Sequence, residues 1–144
     1  MVDENSSGAH WSFWAIGALT LLWNALGFVN FLVQMSPDAV ATFPESHQAI
    51  INGRPLWATA GFGVGVLVGA FGCALLLLRK SAANYLFIIS LVGIIVTMLH
   101  TIRVGTSVVE FTAAEVFVMI VSPVVVAAFL VWYGRWTEKR GWLG

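Results

Sequence analysis

Few side chains in this sequence could do chemistry, and most of those lie on or beside long apolar runs. Asn24, Asn30 and Gln34 share the first run, His100 and Arg103 close the third, and Glu110 and Glu115 open the fourth. An imidazole, a guanidinium, carboxylates and the amides of Asn30 and Gln34 at similar depth, with Asn24 deeper near the middle of its run, can hold a cation, a proton or a polar solute. They supply the donors and acceptors that apolar surroundings lack, and polar groups placed inside a span mark a functional site by default. His100, Arg103, Glu110 and Glu115 also fit an interfacial ion-pair network closing one end of the fold, with Arg103 and Glu110 reaching out to water.

Other chemistries are weaker here. His100 and Glu115 would give a metal two ligands and His47 a third, but there is no compact motif such as a His pair four residues apart. Haem held by two histidines is disfavoured because His100 alone lies within an apolar run. The single cysteine, Cys73, excludes an intramolecular disulfide and a thiolate metal site. No activated Ser or Cys, no carboxylate pair with a clear base and no phosphate loop is present, so no catalysis, metal or cofactor is expected.

The elements that must position these groups follow from composition. Of 144 residues, 59% are hydrophobic and 10% charged, against about 25% charged in soluble domains. So few charges cannot cover a water-facing surface, and the remaining solvent is lipid. The zero net charge gives no indication of nucleic-acid binding. A span needs about 20 mostly apolar residues. Four stretches qualify, 11–35, 56–78, 85–102 and 111–134. The expected fold is therefore all-α, a single membrane-embedded antiparallel four-helix bundle. The polar N-terminus carries Asp3 and Glu4 but no Lys or Arg, and the first apolar run is too long for a signal peptide, so that run reads as a retained helix.

Ser36 as N-cap and Pro37 at the first helical position predict a short helix after the first span. Pro44 opens another, which Asn52-Gly53 ends, and Pro55 starts the second span. Val40, Phe43, Ile50 and Ile51 offer these short helices an apolar side for the membrane surface.

Small and polar residues mark the faces that pack, because helices in lipid associate by close contact and interhelical hydrogen bonds. Gly17, Thr20, Asn24, Gly27, Phe31 and Gln34 fall within an arc of about 100° on the first helix. Asn24 there is either interhelical glue or a ligand contact in the bundle centre. Gly61, Gly65, Gly69 and Gly72 form a zipper-like stripe on the second helix, fit for a neighbour within the bundle or for a second copy. The third helix aligns Ser90, Gly93, Thr97, His100 and Thr101; the fourth aligns Glu115, Ser122 and Tyr133, with a kink expected at Pro123.

Arg79, Lys80, Arg135, Lys139 and Arg140 lie on one side of the spans, and only Arg54 and Arg103 on the other. That asymmetry predicts cytoplasmic N- and C-termini. Trp11, Trp14, Tyr85, Trp132, Tyr133 and Trp136 are then interface anchors on the cytoplasmic side and Trp57 on the outer side.

Four segments carry a resemblance: His10-Trp11-Ser12-Phe13-Trp14, Leu22-Trp23-Asn24-Ala25-Leu26-Gly27, Asn52-Gly53-Arg54-Pro55-Leu56-Trp57-Ala58-Thr59 and Leu76-Leu77-Leu78-Arg79-Lys80-Ser81-Ala82-Ala83. Over most of its length the chain resembles a family of small bacterial four-helix inner-membrane proteins, whose members are often labelled sugar transporters. The resemblance implies a bacterial inner-membrane location. This sequence lacks the Pro-Gln pair of the three-helix bacterial sugar half-transporters.

Two functional expectations follow. One is binding or transport of a small polar solute or ion through an outward-facing pocket built from Asn24, Asn30, Gln34, His100, Arg103 and Glu115. The other is a non-catalytic accessory subunit packed against a larger membrane complex, and a homo-oligomer is a separate alternative for its partners. A cavity reaching Asn24 favours the first, and a solid bundle with a free glycine face the second.

Overall fold

The computed structural model describes residues 8–107 and 110–144; the acidic stretch holding Asp3 and Glu4 lies outside the described residues. Among them the chain is helical, with no strand. Helix α1 spans Trp11–Val33, α2 Pro37–Val40, α3 Glu45–Asn52, α4 Leu56–Leu77 and α5 Ala83–Ser107. The last long helix is composite: α6 (Ala113–Val116), a π-helical turn (Phe117–Val121) and α7 (Ser122–Lys139). Four helices are long and apolar enough to cross a membrane: Trp11–Val33, Leu56–Leu77, Ala83–Ser107 and Ala113–Lys139, the last called the fourth span below.

Local chemistry sets the helix ends. The His10 side chain accepts from the Ser12 N–H at the start of α1, and the Ser36 hydroxyl accepts from the Ala39 N–H ahead of Pro37 in α2. Thr112 and Glu115 form a reciprocal capping box at α6. Helix α5 continues past the apolar run to Ser107, where Thr106 and Ser107 hydroxyls donate back to the Arg103 carbonyl at 3.1 and 2.6 Å. The π turn lies just ahead of Pro123. There the Ser122 hydroxyl donates to the Phe117 carbonyl five residues back at 3.0 Å, and the irregularity anticipated at proline takes this form.

Helix α1 packs along α4, α4 along α5, and α5 along α7, whereas α1 and the fourth span share no comparably extended contact. The α4–α5 seam is the closest. A Cβ on Gly61 would stand 2.8 Å from the Gly93 carbonyl oxygen, and one on Gly93 2.9 Å from the Gly65 nitrogen. Side chains take over further along: the next turns put Ser90 and Asn24 against Gly69, and Phe87 against Gly72.

The ring of helices closes at one end, called here the aromatic end. Phe13 of α1 meets Tyr133 of α7 at 6.5 Å between ring centroids and Trp142 at 5.8 Å, edge to face. Phe13, Leu76, Phe87 and Leu130 are fully or almost fully buried there. Tyr133 is 3% exposed, which corrects its expected place among interface anchors: α7 turns it inward against Phe13 and Phe129, while Trp11, Tyr85 and Trp132 remain exposed.

Residues 140–144 fold back onto this end. Gly141, at φ +79°, reverses the chain after α7, and the Trp142 N–H returns to the Thr137 carbonyl at 3.0 Å. Arg79, itself at φ +61°, donates from Nε to the Trp142 carbonyl at 2.7 Å, and its own carbonyl accepts from the Gly144 N–H at 2.7 Å. A Cβ on Gly141 would meet nothing within 4 Å, so Gly141→Ala tests backbone conformation alone. The expected loss is about 1 kcal/mol in thermal unfolding; an unchanged or raised melting temperature would refute the left-handed cap.

Candidate functional site

At the opposite end, named here for α3, the ring stays open. The gap between α1 and the fourth span becomes a cavity of about 420 Å³, within the range of small-molecule sites. Helix α1 contributes Asn24, Gly27 and Asn30, its C-cap residue Gln34 joins them, and the fourth span contributes Val118, Met119, Pro123 and Ala127. Ser90, Thr97 and Thr101 of α5 form the back wall with Ile94, while α3 and the turn after it add His47, Ile50 and Arg54. Most of this surface is apolar; the polar groups are few and spread along it.

Helix α3 is pinned at both ends. Near its start the buried Ser46 hydroxyl donates to Glu115 Oε2, and His47 Nδ1 lies 3.9 Å from the same oxygen. The other carboxylate oxygen accepts the Thr112 N–H at 3.0 Å. Near its end His100 Nε2 meets the Ile50 carbonyl at 3.0 Å. A carbonyl can only accept, so that nitrogen carries the proton. His100 is 2% exposed and lies edge-on to Trp57.

The expected polar residues therefore separate. Asn24, Asn30 and Gln34 line the cavity; His100, Arg103 and Glu115 do not. Glu115 was expected to pair with His100 or Arg103, but Ser46, His47 and its own helix cap take it instead. His100 faces α3 and Trp57, because its position on α5 points it towards the turn between α3 and α4. Arg103 and Glu110 are exposed. Among the described residues no three His, Cys, Asp or Glu side chains converge on a point that could hold a metal ion.

Asn24 sits deepest. Its Nδ2 donates to the Thr20 carbonyl at 2.9 Å and to Cys73 Sγ at 3.7 Å, and the Cys73 thiol donates to Thr20 Oγ1 at 3.5 Å. The Ser90 hydroxyl donates to the Gly65 carbonyl at 2.5 Å. These bonds tie α1, α4 and α5 together, so Asn24 bonds across helices as well as lining the cavity.

The sequence marks Arg54 only as an outer charge, yet its guanidinium lines the cavity. Its Nη2 donates to Gln34 Oε1 at 2.6 Å and its guanidinium lies 5.1 Å from the Phe62 ring centroid. Its Nε is buried and has no hydrogen-bond partner among the described residues. Burial lowers its pKa from the ordinary arginine value, although a guanidinium remains protonated in proteins. The available sequence signal was an arginine one proline ahead of an apolar helix, opposite an amide at the end of the previous one.

Such a site can bind and orient a ligand through one cation, several amides and several hydroxyls. Comparison with protein-family models, with curated proteins and with solved structures finds no match to this chain.

Proposed function

We propose that this chain is a small integral membrane protein of the bacterial inner membrane that binds a small polar or charged molecule in the cavity between α1 and the fourth span. Its spans run antiparallel, both termini are cytoplasmic, and the α3 end opens outward. It binds without catalysing a reaction. One observation carries the reading: Arg54 lines the cavity with a buried Nε that no group among the described residues accepts from. A buried donor without a partner costs about 1–3 kcal/mol, more when charged, and a ligand acceptor would recover that cost. The excess of Lys and Arg beside the aromatic end supports the orientation. The accessory-subunit reading needs a free packing face, and the glycine stripe is not one, since Gly61, Gly65, Gly69 and Gly72 are buried within the chain.

Cysteine accessibility tests this in intact cells. In a Cys73→Ser background, Asn30→Cys should react with a membrane-impermeant maleimide from the outside, because Asn30 is exposed and lines the cavity. Ser81→Cys, at the aromatic end, should react only after the membrane is opened. The reverse pattern would overturn the orientation, and an Asn30→Cys that never reacts would overturn the water-accessible cavity.

A further inference from the structure

Resting on that reading, we infer that the ligand is a single-chain anionic amphiphile, its carboxylate or phosphate head on Arg54 and its apolar chain lying in the slot between α1 and the fourth span. The head follows from charge. Among the described residues the one ion pair within 4.0 Å is His47 with Glu115, so Arg54 has no carboxylate to balance it. Gln34 uses one edge of its fork and Phe62 covers a face, which leaves donors, the buried Nε among them, for an oxyanion. A planar fork of donors suits carboxylate and phosphate alike.

The body follows from the walls. From Asn24 at the bottom to the α1 C-cap Gln34 at the Arg54 end the chain rises by ten residues, about 15 Å at a helix's 1.5 Å rise. Across that length the opposite wall is Val118, Met119 and Pro123, with no charged group. A small hydrophilic anion would occupy only the Arg54 end and leave the apolar wall along this length without a packing partner. A linear alkyl chain fills it.

The route follows from the missing helix contact. Leu26 of α1 and Val118 of the fourth span both line the cavity, yet they are 59% and 63% exposed. The slot is thus open sideways, towards the acyl chains if the spans lie in a bilayer. An amphiphile already in the membrane can slide in chain-first while its head stays level with Arg54.

The test uses the full chain in phosphatidylcholine nanodiscs and a photoactivatable palmitate carrying a diazirine along its chain. Crosslinks should map to the stretches around Leu26 and Met119. Unlabelled palmitate and dodecyl phosphate should compete, whereas acetate, inorganic phosphate and neutral dodecanol should compete at least tenfold less well. Arg54→Gln should weaken labelling about tenfold or more, the loss of one charge-assisted contact. Met119→Trp should abolish labelling by filling the slot, and Arg103→Gln, outside the cavity, should leave it unchanged. Each variant is compared only as a monodisperse species; if Arg54→Gln is not one, Arg54→Lys takes its place, since a point charge cannot serve Gln34 and an oxyanion as a fork does.

Labelling that survives Arg54→Gln, or that maps elsewhere, overturns the inference. Acetate or phosphate competing as well as palmitate also overturns it, but keeps the small-solute reading of the cavity. If neither palmitate nor the small anions bind and Asn30→Cys is unreactive, both fail together.

Discussion

Gly93→Leu should prevent the bundle from forming a stable, monodisperse species in mild detergent. The first atoms that a side chain at this position meets are backbone: the Gly61 carbonyl oxygen at 2.7 Å, the Gly65 nitrogen at 2.9 Å and the Gly65 Cα at 3.2 Å. A side chain can swing aside, but a helix backbone can only move as a helix. Compare Gly27, where the obstacle is a Val66 methyl group at 2.8 Å, or Gly63, where it is the Phe31 ring at 3.1 Å. Overpacking costs about 1–3 kcal/mol when neighbours can relax, so about 3 kcal/mol is the lower bound at Gly93. That is a large share of a typical stability of roughly 5–15 kcal/mol. Forcing α4 and α5 apart would also stretch the Ser90 bond to the Gly65 carbonyl and open the back of the cavity. The control is Val92→Leu, one residue away on the exposed face of α5. Equal melting temperatures and elution for the two variants would mean that the α4–α5 contact is not the close one described.

What could be read in advance divides along a physical line. Periodicity reports direction around a helix axis. The small and polar arc on α1 was expected to point inward, and Asn24 and Gln34 from it line the cavity with neighbouring Asn30. Depth along the axis is readable too, since it follows from residue count. Neither one says which neighbouring helix a face meets. His100, Arg103 and Glu115 were grouped because they share a depth, but the α3 turn intervenes at His100 and α6 caps itself with Glu115. The glycine spacing left open whether the neighbour was α5 or another copy, because both would demand the same small residues. Arg54 was missed for a related reason. Its importance comes from Gln34, Phe62 and the gap opposite, three features far apart in sequence. The fold-back of residues 140–144 depends on a left-handed Arg79, a conformation that a non-glycine residue rarely adopts and local sequence does not announce.

The second large effect is expected at His100, which was read as a ligand group and which the structure places as a strut. Helix α3 has eight residues, too few to be stable alone. It holds its place through Ser46 on Glu115 at one end and His100 on the Ile50 carbonyl at the other. That carbonyl belongs to the last turn of α3, where the helix itself supplies no donor. Removing the imidazole leaves a buried acceptor unmet, at about 1–3 kcal/mol. It also leaves a hole beside Trp57, and truncations of large buried side chains typically cost about 2–5 kcal/mol. His100→Ala should therefore lower stability by about 3 kcal/mol or more. The loss should be local as well as global: amide exchange should rise across α3 and the turn carrying Arg54 before it rises in α4 or α5. His100→Gln separates the bond from the packing, because a glutamine amide can donate to the same carbonyl. It should restore much of the protection in α3. If exchange in α3 stays at its original level in His100→Ala, or if His100→Gln is no better than His100→Ala, the strut is the wrong description. A ligand held by Arg54 would feel the change without touching His100, since Arg54 follows α3 by two residues. Its affinity should fall in His100→Ala and recover in His100→Gln, whereas a His100 that contacted the ligand directly would not be replaced by glutamine in parallel with α3 protection.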